Sequence, residues 1–365
     1  MVYHVHPRLS AFVNYAQSFT PPSVALRIDG SLFVPTASRG WDYGLRFAST
    51  NGEIVGSLIR YAGRQDNRSI ASTPFSQAFV QIIQANALND LTSGGLNSRG
   101  LQLVPTGYVD TAAVKTEGWE LEITANLNRN WRLMLNGALP RAFQENPNRE
   151  TIAYYAKNEA VLKQIVTDAG GTINANNVAS FNAVIPPGQS ASEGPNAVAA
   201  WNTVQQGFAA LASGQKLNRV TESSANLFTD YSFRDGLLRG FRLGGGLNYR
   251  GREVIGSRGA ETIRNPSNPA AAIDNPAVSA YDMVYRKPYV SGTLAFNYTR
   301  KLGRKFTLGV DFKIDNLFDY SQPLYYNTVL RPPGGDLTNP ARVPTPFQFA
   351  WLTPRNYTLS AALKF

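Results

Sequence analysis

Taken two residues at a time, the last stretch of the chain separates into two faces. Tyr357, Leu359, Ala361, Leu363 and Phe365 fall on one side, and Thr358, Ser360, Ala362 and Lys364 on the other. Successive side chains of an extended strand point to opposite faces, so this pattern predicts a strand with one greasy surface and one polar or small surface. The alternation recurs upstream. Leu9 to Phe19 alternates and breaks at Pro21-Pro22, and Trp41, Tyr43, Leu45 and Phe47 oppose Asp42, Gly44 and Arg46. Asn51-Gly52 signals a hairpin, because both residues tolerate left-handed turn positions, and Glu53 to Gln65 returns from it. Within Thr111 to Leu127, Trp119, Leu121, Ile123 and Ala125 face away from Glu120, Glu122, Thr124 and Asn126; Trp131 to Phe143 pairs back. Arg219 to Phe233, Phe241 to Ile255, Tyr281 to Tyr298 and Phe306 to Phe318 complete the set of extended segments.

The connections sort by parity. Thr50–Glu53, Asn128–Asn130, Arg234–Gly240 and Lys301–Arg304 are short, whereas those around 20–40, 66–110, 144–218, 256–279 and 320–348 are long. A soluble sandwich has no physical reason to sort its loops this way. A transmembrane barrel does, since one rim carries tight periplasmic turns and the other carries extracellular loops. Each segment runs roughly 11 to 17 residues, longer than the usual 5 or 6 of soluble sheets and enough to cross a bilayer with tilt. The expected fold is therefore all-β, an antiparallel transmembrane β-barrel meander of about ten long strands with both termini on the short-turn side.

Short helices are expected on the long loops. Phe75, Phe79, Ile82, Ile83 and Asn86 have helical spacing. Asn148 is placed to cap a helix carrying Ile152, Tyr155, Leu162 and Val166, which Gly170 would end. Val198, Trp201, Gln205, Phe208 and Leu211 mark another, stopped by Gly214. Loops of this length are uncommon in compact domains and are usually functional.

Composition narrows the picture. Charged residues are only 16% of the 365, against roughly 25% in a typical soluble domain, and aromatics are frequent. No apolar run is long enough for a transmembrane helix. Without cysteine there is no disulfide framework and no thiolate chemistry. His4 and His6 share one face of a strand start but lack further ligands nearby, so they are assigned to the interface and not to a metal. The net charge of +10 is scattered over turns, loops and inward positions, which suits a polar lumen and membrane rims better than nucleic acid. Glu120 and Glu122 lie on a polar strand face with no partner base, and Gly244-Gly245-Gly246 lacks the Lys and helix of a phosphate loop. No enzyme constellation and no cofactor fingerprint emerges. Met1-Val2-Tyr3-His4 does not begin a signal peptide, so the expectation is a start inside a longer gene or a cut chain.

A strand ending in Asn316-Leu317-Phe318-Asp319, a long loop rich in Pro, Gly and Asn, and a terminal strand ending in Phe365 resemble the C-terminal end of TonB-dependent outer-membrane receptors. GWELEITANLNRNWRLMLNGAL, from Gly118, and GFRLGGGLNYRGREVIG, from Gly240, resemble receptor strands as well. The resemblance implies a barrel of about 22 strands, filled by an N-terminal plug and energised through TonB, for uptake of a scarce nutrient such as a siderophore, cobalamin or a saccharide. This chain contains neither plug nor TonB-binding segment. It is therefore expected to be the C-terminal part of such a barrel over 1–365, in a Gram-negative outer membrane, not competent alone, and meeting TonB only through the missing N-terminal part. Outer-membrane lipid, the barrel-assembly machinery and a small-molecule nutrient are the expected partners. By resemblance, Thr358, Ser360, Leu363 and Phe365 form the assembly signal, with Ser360 standing where the family pattern favours Gly. Trp201, Tyr325, Tyr326 and Arg331 are the candidate outer-loop ligand contacts, offering aromatic stacking and anion pairing. A small complete porin or adhesin, and a soluble β-rich binding domain, are the competing readings.

Overall fold

The computed structural model describes residues 1–22, 24–71, 75–84, 99–101, 104–105, 107–181, 192–210, 215–258, 261–279, 282–303 and 305–365. Eleven strands lie side by side in one antiparallel sheet, each beside its neighbour in sequence. They are β1 (Val2–His6), β2 (Leu9–Thr20), β3 (Thr36–Ala48), β4 (Ile54–Ala71), β5 (Val109–Asn126), β6 (Trp131–Glu145), β7 (Ser224–Ser232), β8 (Phe241–Arg250), β9 (Tyr289–Leu302), β10 (Phe306–Asp315) and β11 (Asn356–Lys364). A two-residue strand, Gln215–Lys216, adds to the upper end of β6. β2 to β11 are the ten long strands that the alternation predicts. β1 is an addition, five residues that turn at Pro7-Arg8, too short for alternation to register. It begins part-way up β2, with Val2 opposite Phe12, and its turn into β2 lies at the short-turn rim, where Leu9, the start of the first predicted strand, also stands. Among the described residues the sheet is open, because β1 pairs only with β2 and β11 only with β10.

Register makes the two faces explicit. Val13, Tyr43, Arg60, Trp119 and Leu139 stand in one cross-strand row, and Leu45, Leu58 and Leu121 in the next. The same face continues through Leu135, Leu227 and Leu247, then through Phe296, Phe312 and Leu359. The opposite face carries Arg46, Ser57, Glu122, Asn136, Asn226 and Asn248 in one row. A soluble fold would bury the first face. Here Trp41 is 48% exposed, Trp119 46%, Leu359 73% and Phe365 97%, an outward apolar belt that only hydrocarbon satisfies. Among the described residues no helix is long and apolar enough to cross a membrane.

The turns are built locally. At Ser49–Ile54 only Gly52 takes the left-handed conformation, with φ 70°; Asn51 instead accepts hydrogen bonds on its side chain from Ser49 Oγ and Glu53 N. At the other rim the Asn316-Leu317-Phe318-Asp319 stretch has a mechanical reason. Asn316, nearly buried, donates from Nδ2 to Tyr320 O and Thr353 O, both at 3.1 Å, and accepts from Tyr320 N at 2.9 Å. Asp319 accepts from Arg355 N. One side chain thus ties together both ends of the last long loop.

The long loops hold structure of their own. β7 to β10 stop earlier than alternation predicts at this rim, whereas β3 to β6 run further, and the chain re-forms as separate hairpins: Glu253–Ser257 with Met283–Arg286, Thr262–Asn265 with Asn268–Asp274, and Leu324–Arg331 with Val343–Ala350. Three helices, α1 (Phe75–Gln84), α2 (Arg149–Asp168) and α3 (Glu193–Ala210), pack into a small hydrophobic core with the short hairpin Gly171–Ile173/Ala179–Phe181. The predicted Phe75, Phe79, Ile82 and Ile83 stripe is buried in it. On α2 the buried face is Thr151, Leu162, Ile165 and Val166, while Ile152 points outward at 43% exposure. Gly170 ends α2 as expected, at φ 89°. Asn86, Leu211, Gly214, Tyr281 and Arg304, which the sequence places at these elements, lie outside the described residues.

Candidate functional site

The cap of α2 departs from expectation. Asn148 precedes the helix at φ 55° and makes no side-chain capping bond. The free N–H groups of the first turn are taken by Asp110, at the start of β5: Glu150 N donates to Oδ1 at 3.1 Å and Thr151 N to Oδ2 at 2.7 Å. A carboxylate at a helix N-terminus is favoured by the exposed amide dipoles, and Asp110 is completely buried there. Tyr108 OH lies 2.7 Å from Thr151 Oγ1, and Arg27 pairs with Glu150 at 2.6 Å. The helical layer is therefore fastened to the rim of the wall through one buried polar node.

Trp201, a candidate ligand contact, is inside that layer and not on its surface. It is fully buried, and its Nε1 donates to Asn177 O at 2.7 Å. The Tyr155 ring meets it tilted at 5.9 Å and meets Phe208 edge-on at 4.7 Å. α1 and α3 approach so closely that a methyl group on Gly207 would sit 2.6 Å from the Phe75 ring. Burial pushes the Tyr154 phenol up to about 12, and the Tyr155 phenol likewise. Both stay neutral and serve as packing groups.

The other three candidates lie on the hairpin strand Leu324–Arg331. Tyr325 makes an edge contact with Phe349 at 5.6 Å, and the Arg331 guanidinium lies over Phe347 at 5.3 Å. Tyr326 reaches a different set of residues, with the Arg219 guanidinium over its ring at 5.1 Å. The four candidates are not brought together at one place.

What the rim does bring together is a group of cations on tyrosine rings. Arg252 lies over Tyr285 at 4.5 Å and Arg286 over Tyr289 at 5.1 Å. Lys216 Nζ donates to Tyr285 OH at 3.1 Å and pairs with Glu222 at 2.6 Å, while Glu222 also holds Arg252. Glu253 pairs with Arg286 at 2.7 Å and accepts from Thr221 Oγ1. A cavity of about 560 Å³ opens beside this cluster, where β6 and β7 part above Ala138. Arg141, Lys216, Glu222 and Arg252 line it together with Leu139, Leu217, Val220 and Val254.

The electrostatics of the cluster are consistent across its partners. Burial works against the Glu222 carboxylate, but hydrogen bonds from Lys216 and Arg252 outweigh it and hold its pKa below the ordinary value. The bond to Glu222 in turn raises the Lys216 ammonium, against the opposing effect of burial. The group stays charged across the physiological range. Arg252 remains 58% exposed, with N–H donors beyond the one that Glu222 occupies. Such a site suits an anionic ligand with flat, conjugated parts, which guanidinium groups pair and rings stack. Of these residues only Tyr326 was singled out from the sequence. Lys216, Arg219, Arg252, Tyr285 and Arg286 all sit within a few residues of the outer strand ends, a positional signal that strand alternation alone overlooks.

With this geometry in view, the comparisons fall into line. The family model described as "TonB dependent receptor-like, beta-barrel" matches residues 1–317. The chain belongs to the β-barrel domain of the TonB-dependent receptors, a family of outer-membrane transporters and not of enzymes. β11 lies beyond the matched residues but continues the same sheet. Among solved structures, the ferripyoverdine receptor of the outer membrane of Pseudomonas aeruginosa is similar at TM-score 0.54 and 15% identity, covering 100% of this chain and 32% of that one. BauA, the ferric preacinetobactin receptor from Acinetobacter baumannii, is similar at TM-score 0.52 and 12% identity, covering 100% and 35%. This chain therefore spans about a third of the length of those receptors. The FpvAI–pyocin S2 complex is similar at TM-score 0.54, 15% identity and the same 32% share. No curated protein matches the chain.

Proposed function

We propose that this chain is the C-terminal part of an outer-membrane receptor that takes up an anionic iron chelate of the siderophore class, energised through TonB by way of N-terminal parts that lie outside residues 1–365. The observation that carries the chemistry is the cluster of Arg219, Arg252, Arg286 and Lys216 on tyrosine rings beside a rim cavity. Ferric chelates built on catecholate donors are compact and anionic and carry flat aromatic rings, and cation–tyrosine pairs recognise both properties. Similarity to receptors for ferripyoverdine and ferric preacinetobactin supports the class. Trp201 then acts as framework for the loop layer, and Tyr325 and Arg331 line the neighbouring hairpin.

The open sheet supports the second half of the proposal, that the chain does not close alone. Two unpaired edges cannot persist in hydrocarbon, where every backbone donor needs a partner. Thr358, Ser360 and Leu363 on the exposed β11, with Phe365 just after it, are proposed as the signal read by the barrel-assembly machinery. The test is binding of a ferric chelate to the parent receptor, followed by fluorescence quenching. Arg252→Ala and Arg219→Ala should each weaken binding by about tenfold, with the iron-free chelate binding less well. Unchanged affinity in both variants would remove the site. For closure, the isolated chain refolded into detergent should show no heat-modifiable band.

A further inference from the structure

The turns of the short-turn rim differ in chemistry. Asn51-Gly52 and Asn128-Arg129-Asn130 are polar tips, as suits a wall that meets water. The turn from β7 to β8 instead runs through Phe233-Arg234-Asp235-Gly236-Leu237-Leu238-Arg239-Gly240. Backbone bonds hold it in one shape: Gly240 N donates to Phe233 O at 2.9 Å, Arg239 N to Gly236 O at 3.2 Å and Phe241 N to Leu238 O at 3.0 Å. These bonds place the two leucines at the centre of a tight turn, with Leu237 100% exposed and Leu238 47%.

The turn continues the outward face of the wall. Phe233 meets Tyr231 edge-on at 4.8 Å, and the Phe241 ring lies 4.4 Å from Tyr298. Tyr231, Phe241 and Tyr298 share the outward side of β7, β8 and β9 with Leu227, Leu243 and Phe296. Trp131 stands beside Tyr231, and Leu302 faces Phe306 at the foot of β9 and β10, so the same side ends in a row of aromatic and aliphatic groups. The turn is pinned to β9: Thr299 N donates to Gly240 O at 2.9 Å, and Gly240, at φ 92°, comes so near that a methyl group there would sit 2.4 Å from Thr299 O. One exposed leucine on a surface is ordinary, but two at a fixed tip beneath such a row extend the apolar belt.

Charge identifies what covers the tip. Arg234 and Arg239 flank the leucines, Arg300 and Lys301 end the neighbouring β9, and Lys305 follows in the next turn; all five are exposed. Asp235 is the one carboxylate in these two turns. We propose that the turn is an anchor in the inner leaflet of the outer membrane, with Leu237 and Leu238 at the boundary of headgroups and acyl chains and the surrounding cations on the phosphates of anionic phospholipid. Apolar side chains framed by Lys and Arg bind such a boundary through buried apolar area and attraction to anionic headgroups. The proposal rests on the place of the wall in the membrane and is independent of the ligand at the other rim.

The test uses the parent receptor in phospholipid vesicles. This chain has no cysteine, so Leu237→Cys and, on another short turn, Arg129→Cys each place one fluorophore in it. Quenching by phosphatidylcholine that carries a nitroxide near its headgroup should be at least about threefold stronger at 237 than at 129. Moving the nitroxide to phosphatidylglycerol should raise quenching at 237 by about threefold more, and the combined Arg234→Gln, Arg239→Gln, Lys301→Gln variant should lose that rise. Asp235→Asn removes the opposing charge and should enlarge the rise, a gain that misfolding cannot mimic. Equal lipid quenching at the two positions, quenching at 237 by aqueous iodide alone, which would place the tip in the periplasm, or protection from both quenchers, which would place it against another protein segment, would each overturn the proposal. So would a rise that survives the triple substitution, or no gain with Asp235→Asn.

Discussion

The wall and the loop layer use apolar side chains in opposite ways. In the wall, Leu359 and Trp119 stand exposed on the outward face of the antiparallel sheet. In the loop layer, Trp201, Phe79 and Leu162 are sealed from solvent at 0% exposure, packed as in a small soluble domain. The same residue types thus mean different things on the two sides of the rim. What decides between them is the period of the pattern, two in the wall and helical in the loops, together with what covers each surface. The two regions meet at polar fastenings, of which Asp110 is the best defined.

Substitutions should separate the regions sharply. Trp201→Ala is expected to have the largest effect, about 3–5 kcal/mol lost from the loop layer. Hydrogen exchange in α1 and α3 should rise while the wall keeps its protection; equal loss in both would merge the regions. Leu359→Arg should destabilise the wall by about 2–4 kcal/mol, whereas Ser360→Arg, on the opposite face, should cost about 1 kcal/mol or less. Urea unfolding of the membrane-inserted parent receptor measures both, and reversal of their order would invert the assigned faces. Asp110→Ala should cost about 1–2 kcal/mol through the lost cap, read as proteolytic nicking near Glu150 with an intact sheet.

The smallest expected effect is the response to acid. Glu222 has its pKa below the ordinary carboxylate value in the fold, so its contribution is fully present above the unfolded value near 4.5 and is lost as pH falls through the lower, folded value. Ligand binding at the rim should hold steady from neutral pH down to about 5 and weaken in more acid buffer. A decline that begins near pH 7 would point to a different group.

Much of the wall was legible in the sequence because each strand reports its own faces. Trp41, Tyr43 and Leu45 against Asp42, Gly44 and Arg46 need no distant information, and the short–long order of connections adds the two rims. Failures came where partners are remote. Asn148 has the composition of a cap, but the capping carboxylate comes from Asp110, on a strand packed against the helix. Trp201 has the amphipathic look of a binding residue, and three helices brought together from separate loops bury it. The cation–tyrosine cluster draws Lys216, Arg252, Tyr285 and Tyr326 from different loops, so no single window of sequence contains it. β1 escaped because five residues are too few to establish a period.

Asn316 has one more effect. Because its amide joins Tyr320 to Thr353, the arm formed by Leu324–Arg331 and Val343–Ala350 grows from a fixed base, and its length is mechanically separate from the alignment of β11 on β10. Changes in the length of that arm at its tip, around Pro333–Gly335, leave the terminal segment arriving at the same place in the wall. A single amide thereby leaves the outermost surface free to diversify while the barrel stays in register.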